Sequence, residues 1–359
     1  MTMEFAIEQL LHSGTIIPAH PLALDQHRRL NENRQRLLTR YYIASGVGGV
    51  AVGVHTTQFA IRRPDVGLLE PVLRMAAEEI AAAGLERPFI KVAGICGPTE
   101  QALAEARLAL KYGYHIGLLS LGGLTTHTEA ALLAHVRAVA AVIPVFGFYL
   151  QPSVGGRILS YDFWELFVEI PGVKAIKTAP FNRYQTLDVV RAVASSSRRN
   201  SIALYTGNDD NIVADLLSTY RFNINGEIVE KGFAGGLLGH WSVWTGKVAE
   251  LFGRIKNCIL EDYKGAGELL QEGIAVTDMN AAIFDPSHAF SGSIAGIHEV
   301  LRRQGLLEGT WCLEDHEVLS PGQTAEIDRV TAAYPHLTDD IFVKEFLSQD
   351  SIKKLLLHA

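Results

Sequence analysis

Cysteine is scarce. The chain has Cys96, Cys258 and Cys312, far apart in 359 residues, which excludes a disulfide framework and a zinc-type spacing. An excess of positive charge is also missing. The 32 Lys and Arg residues stand against 39 Asp and Glu, a formal charge of −7, so a basic nucleic-acid-binding face is not expected. No apolar run approaches the roughly 20 residues that a membrane-spanning helix requires. The first residues carry Glu4 and Glu8 and lack the basic start of a secretory signal peptide. No solenoid-type repeat and no low-complexity tract is present. What remains is a composition with 48% hydrophobic and 20% charged residues, typical of a globular protein with a substantial core. A cytoplasmic protein without nucleic-acid or membrane partners is the expectation.

Short apolar runs alternate with amphipathic stretches. The runs at 14–21, 48–55, 88–95, 116–121, 144–150, 173–179, 202–207 and 233–241 each precede a helical pattern. Strands alternating with helices imply a parallel sheet, and eight such units over about 250 residues fit a (β/α)8 TIM barrel. A doubly wound sheet would favour a G-x-G-x-x-G after the first strand, and AHPLALD stands there instead. Beyond about residue 256 the strand pattern stops and helical segments punctuated by Gly and Pro take over. The expected organisation is a catalytic barrel over 1–255 and a C-terminal helical domain over 256–359.

Side chains two apart on a strand share a face. On that count Ala51, Gly53 and His55 form one row, Val145, Gly147 and Tyr149 a second, and Val173, Ala175 and Lys177 a third. The intervening Phe146 and Phe148 are assigned to the helix side. Each row ends in a reactive side chain at the C-terminal end of a strand, where barrels of this type build active sites. A lysine among apolar walls loses proton affinity, and its neutral amine can attack a ketone to form a Schiff base. A nearby tyrosine can then shuttle protons. Each residue also has a plainer role available. A strand-end Lys can reach solvent along its stem, a strand-end Tyr can pack half-buried, and a lone His can be structural.

The segment GFYLQPSVGG (147–156) followed by PGVKAIKTA (171–179) resembles the dihydrodipicolinate synthase and N-acetylneuraminate lyase superfamily, class I aldolases and dehydratases of 2-oxo acids. The resemblance implies that Lys177 is the Schiff-base lysine and Tyr149 the proton-shuttling tyrosine. It aligns TGND (206–209) with a strand-7 segment and GLLGHWSV (236–243) with a strand-8 segment, which makes Gly207, Asn208, Asp209, His240 and Trp241 substrate-binding candidates. At strand 2, His55 stands where the family has a relay threonine, with Thr56 and Thr57 beside it as candidates to hold the 2-oxo acid. Val154 replaces an arginine of the lysine-biosynthetic members, and LGGL (121–124) replaces the strand-4 tyrosines. Dihydrodipicolinate synthesis itself is therefore not expected.

The expectation is a cofactor-free class I lyase of a pyruvate-type substrate. The resemblance also implies a homo-oligomer, a dimer or tetramer. Two alternatives stay open. One is a non-catalytic descendant that only binds a 2-oxo acid. The other is a metal-dependent hydrolase, using His20, His55, His240 and Asp209 as ligands, although no H-x-H occurs and no metal site is assigned.

Overall fold

The computed structural model describes residues 3–357. Its strands are β1 (Ile16–Pro18), β2 (Gly49–Val52), β3 (Ile90–Ile95), β4 (Ile116–Ser120), β5 (Val145–Leu150), β6 (Val173–Ala179), β7 (Ala203–Thr206), β8 (Thr219–Ile224), β9 (Glu227–Gly232) and β10 (Gly235–Leu238). Eight of them form one sheet in the order β1-β10-β7-β6-β5-β4-β3-β2, and β8 and β9 pair separately. The two outer strands of that order are bridged in parallel at Ala19 and Ala51. This is the expected (β/α)8 barrel.

The helices are α1 (Phe5–Ser13), α2 (Glu32–Ala44), α3 (Leu69–Ala82), α4 (Thr99–Lys111), α5 (Glu129–Ala140), α6 (Tyr161–Val168), α7 (Arg183–Ser195), α8 (Ile212–Leu217), α9 (Thr245–Leu260), α10 (Ala266–Phe284), α11 (Ser293–Arg303), α12 (Gln323–Ala333), α13 (Asp340–Ser348) and α14 (Asp350–Leu357). Helix α9 runs past residue 255, to Leu260. Helix α2 begins only at Glu32, well after the end of β1. The Asp25 carboxylate instead accepts the amides of His27 and Arg29 at 2.8 and 2.9 Å and closes a separate turn. Asn31 then caps α2 by accepting the Arg34 amide, the usual work of an Asn at that position.

Two compact units make up the chain. One comprises the chain up to Thr15 with Pro88–Leu237, the other Ile16–Arg87 with the chain from Leu238 onward. In the first, β3 to β7 run parallel with α4 to α7 between them. Gly147 of β5 faces α6, since a Cβ there would lie 2.6 Å from the Phe167 ring. Phe146 points the other way, into the interior, and packs edge-on against Tyr205 of β7 at 5.2 Å between centroids. Helix α1 sits at the strand starts, where Lys174 pairs with Glu8 at 2.6 Å.

The hairpin β8–β9 does not appear in the strand-helix alternation read from the sequence. Its turn is Asn225-Gly226, both with positive φ (52° and 90°), the pair that favours a two-residue hairpin loop. In the second unit, β1 and β2 pack with α2, α3 and the C-terminal helices, and Tyr41 of α2 meets Phe342 and Phe346 of α13.

Candidate active site

The strands of the first unit bring Lys177 to the interior face near the end of β6. It stands opposite Phe148 on one side and Tyr205 on the other. Its side chain is buried, and Nζ lies 4.4 Å from the centre of the Phe148 ring, within cation–π range. Burial pulls its pKa down to about 8, against the Asp209 charge, which favours the protonated form.

Tyr149 does not join it. Its register partner is Thr178, so it occupies the opposite face of the sheet from Lys177. Its ring packs on Trp164 of α6 at 4.9 Å, and its hydroxyl accepts the Leu159 amide at 3.4 Å. The row assignment from the sequence is thus reversed for β5. Phe146 and Phe148 are interior, while Gly147 and Tyr149 face the helices. The cause is a register irregularity. Val145 pairs with Val173 but Phe146 pairs with Ala175, which leaves Lys174 as an extra residue in β6. One inserted residue moves every later side chain to the other face relative to its neighbour strand. Phe148 is the residue that counting missed, and only the register reveals it.

The turn after β7 is built around the lysine. The Gly207 amide donates to the Thr178 carbonyl at 2.7 Å, and a Cβ at Gly207 would sit 2.4 Å from Lys177 Cε. Only a glycine leaves room for the stem. Asn208 is fully buried, with its side chain committed to structure. Its Oδ1 accepts the Phe181 amide at 3.1 Å, and its Nδ2 donates to Asp215 Oδ2 at 2.9 Å and to Thr186 Oγ1 at 3.4 Å. Asp215 is held in turn by Thr206 at 2.6 Å and by Arg183. Asn208 therefore fastens the loops after β6 and β7 and has no amide group left over for a substrate. Asp209 follows it, half-buried and before the Asn211 cap residue of α8.

In the second unit, β2 ends at Val52 and Gly53 takes φ 77°, so the strand alternation stops before His55. His55, Thr56 and Thr57 form a 3-10 turn. Both threonine hydroxyls donate to the His20 carbonyl, at 3.2 and 2.6 Å, and Thr57 Oγ1 also accepts the Gly53 and Val54 amides. Their hydroxyl protons are thus committed to the backbone rather than offered to a carboxylate. The His55 ring, half-buried, packs near Phe59 at 6.0 Å.

His20 turns toward α2. Its Nε2 lies 2.9 Å from Thr39 Oγ1, and its Nδ1 lies 2.8 Å from the Pro21 carbonyl and 3.0 Å from Gln35 Nε2. Burial lowers its pKa to about 4. With both ring nitrogens engaged, His20 is not a ligand in waiting. Among the described residues no group of three or more His, Cys, Asp or Glu side chains is arranged to hold a metal ion. His240 is buried, with its pKa lowered to about 4 against a hydrogen bond with Asn280 of α10, and its ring lies 6.1 Å from that of Trp244. Trp241 packs edge-on against Phe252 of α9. His240 thus packs at Asn280 and Trp244, and Trp241 at Phe252.

No family model matches the chain. Among curated proteins, it is 24% identical over 300 residues to N-acetylneuraminate lyase 2 of Escherichia coli O6:H1, covering 83% of this chain and 86% of the relative. It is 28% identical over 207 residues to N-acetylneuraminate lyase of Citrobacter koseri, covering 56% of this chain and 65% of the relative. Among solved structures, dihydrodipicolinate synthase from Aquifex aeolicus superposes with a TM-score of 0.70 at 17% identity, over 90% of this chain and 98% of that one. CdNal from Clostridium difficile, solved in complex with mannosamine, gives 0.69 at 15% identity, over 89% and 99%. The paired β5 and β6 motifs, the sequence matches across most of the barrel and the fold agree: the chain is similar, at low identity, to N-acetylneuraminate lyases in sequence and to dihydrodipicolinate synthase in fold.

Proposed function

We propose that the protein is a class I lyase in which Lys177 forms a Schiff base with a pyruvate-type 2-oxo acid. The observation that carries this reading is a buried lysine on the interior face of β6 whose pKa is drawn down to about 8. A neutral amine attacks the C2 carbonyl, and loss of water gives an iminium. The iminium accepts the electron pair when the C3–C4 bond of a 4-hydroxy-2-oxo acid breaks, which releases an aldehyde and leaves an enamine. Protonation of the enamine at C3 and hydrolysis then return pyruvate and free Lys177. The aromatic face of Phe148 beside Nζ favours the cationic iminium over the neutral carbinolamine. The names of the sequence relatives favour aldol cleavage over dehydration.

The test is borohydride reduction in the presence of pyruvate, followed by peptide mass analysis. A pyruvate adduct on the peptide containing Lys177, lost in Lys177→Met, is the expected outcome. Met keeps an unbranched stem beside Gly207 and Phe148, so loss of the adduct reports on the amine rather than on packing. A folded wild-type protein that gives no adduct with pyruvate overturns the reading. A second reading, a 2-oxo acid-binding protein without turnover, draws on the displacement of Tyr149 from the lysine. It would give the adduct but no proton exchange at the pyruvate methyl group.

A further inference from the structure

The connection between α11 and α12, residues 304–322, forms no helix or strand. Connections longer than about 12–15 residues without structure of their own are uncommon in compact domains and are usually functional. Its two ends are fixed. Leu306 and Leu307 are buried, and the Ser320 amide donates to Gln323 Oε1 at 3.0 Å. Between them, from 308 to 319, Cys312 is the one buried residue, so little apolar contact holds this stretch in place.

Charge holds it instead. Three arginines from the segments that follow β1 and β2 reach across to it. Arg28 pairs with Asp315 at 2.9 Å and donates to the Cys312 carbonyl at 2.5 Å, Arg34 meets Glu308 at 3.3 Å, and Arg63 meets Glu314 at 2.5 Å. All six side chains are partly or largely exposed, and exposed pairs are individually weak and screened by salt. One neutral contact joins them, from the Leu313 amide to Gln58 Oε1 at 2.6 Å. Gln58 is buried, and its Nε2 has no acceptor in the chain. The closed arrangement therefore leaves a buried donor unsatisfied, a cost that opening relieves. On the inner side, Cys312 Sγ lies 4.0 Å from His298 Nδ1, and burial pushes the thiol pKa up to about 12.

From these contacts we infer that residues 308–319 form a strap over the turn after β2, closed by the three arginine–carboxylate pairs and released by ionic strength. Opening withdraws the Leu313 amide from Gln58 and brings the Gln58 side-chain amide and the Cys312 thiol to solvent together. Barrels of this type build sites at the strand ends where that turn lies, so the strap gates the β2 side of the rim. This gating is independent of whether Lys177 forms a Schiff base.

Cys312 reports the opening. The native protein is labelled at fixed pH with iodoacetamide, a neutral reagent, in KCl from about 0.01 to 1 M, over which the screening length falls from about 30 to 3 Å. Peptide mass analysis follows Cys312, and Cys258, buried in α9, gauges global unfolding. Cys312 labelling is expected to quicken about tenfold with salt, the order that three exposed pairs can supply, while Cys258 labelling stays constant. Arg63→Gln should be labelled about threefold faster than wild type at low salt, with a shallower salt response. Glu314→Gln, which removes the same pair from the strap side, should match it, and Arg63→Lys should stay close to wild type. A Cys312 rate that does not change with salt, a rise that Cys258 shares, or Arg63→Gln and Glu314→Gln rates equal to wild type overturns the inference.

Discussion

Lys177 is charged at a cost. Burial opposes its ammonium, and the Asp209 carboxylate offsets only part of that penalty, leaving a pKa of about 8. At pH 7 about a tenth of the side chain is then neutral, roughly 300-fold more than for an ordinary lysine. The sign of the pH dependence follows. Adduct formation with saturating pyruvate should rise about tenfold per pH unit below 8 and level off above it, because the neutral amine is the nucleophile. Initial trapping rates between pH 6 and 10 check this, and a rise that continues to about pH 10 would show a lysine without the shift. Lys177 itself was legible in the sequence, because its spacing within β6 is local. Its neighbour was not. Tyr149 and Lys177 both stand four residues after the first residue of their strands, and that equal spacing implies a shared face. The extra residue at Lys174 breaks the equality and brings Phe148 to the amine. A bulge depends on how two strands pair, which one strand's alternation does not encode.

At the level of single elements, the 3-10 turn after β2 shows how polar residues suggestive of substrate binding can be structural. Thr57 Oγ1 touches the Gly53 and Val54 amides and the His20 carbonyl, whereas Thr56 Oγ1 makes one bond, at 3.2 Å. Both side chains are buried; Thr57→Val strands the Gly53 and Val54 amides, whereas Thr56→Val removes one hydrogen bond to a carbonyl that Thr57 still satisfies. Buried groups left without partners cost about 1–3 kcal/mol each. Thr57→Val should therefore destabilise the protein by at least about 2 kcal/mol and Thr56→Val by about 1 kcal/mol, read from urea unfolding midpoints. Equal effects would mean that the two hydroxyls do the same work. The strand and helix positions themselves were legible because hydrophobic periodicity is local. The β8–β9 hairpin escaped the alternating pattern, although Asn225-Gly226 between the segments 219–224 and 227–232 was its signal.

Across the whole molecule, the alternation of eight strands and helices made the barrel legible, because parallel strands need crossover helices. The destination of the C-terminal helices was not legible, since their apolar faces do not say which helix they meet. Asp339 shows the answer for the second unit. Its Oδ2 accepts the Tyr41 hydroxyl at 2.7 Å and the Gly246 amide at 2.9 Å, and its Oδ1 accepts the Gln304 amide at 2.7 Å. One carboxylate thus joins α2, the start of α9, the end of α11 and the start of α13. Tyr41 extends the network by accepting the Thr245 amide at 2.8 Å. Burial raises the Asp339 pKa, and those donors pull it back only in part, so the carboxylate persists by virtue of its three partners. Asp339→Ala leaves the Tyr41 hydroxyl proton and the Gly246 amide without an acceptor, while Gln304 keeps Asp340 at 2.8 Å. A loss of about 2–4 kcal/mol is expected. Tyr41→Phe removes a donor to the same carboxylate and an acceptor from Thr245, so the two substitutions share partners. The double variant should lose less than the sum of the singles, by about 0.5–3 kcal/mol, as contacting sites do. Denaturant titration of the four proteins measures that coupling. Strict additivity would mean that α13 is held to α2 by the Phe342 and Phe346 contacts with Tyr41 rather than by the carboxylate.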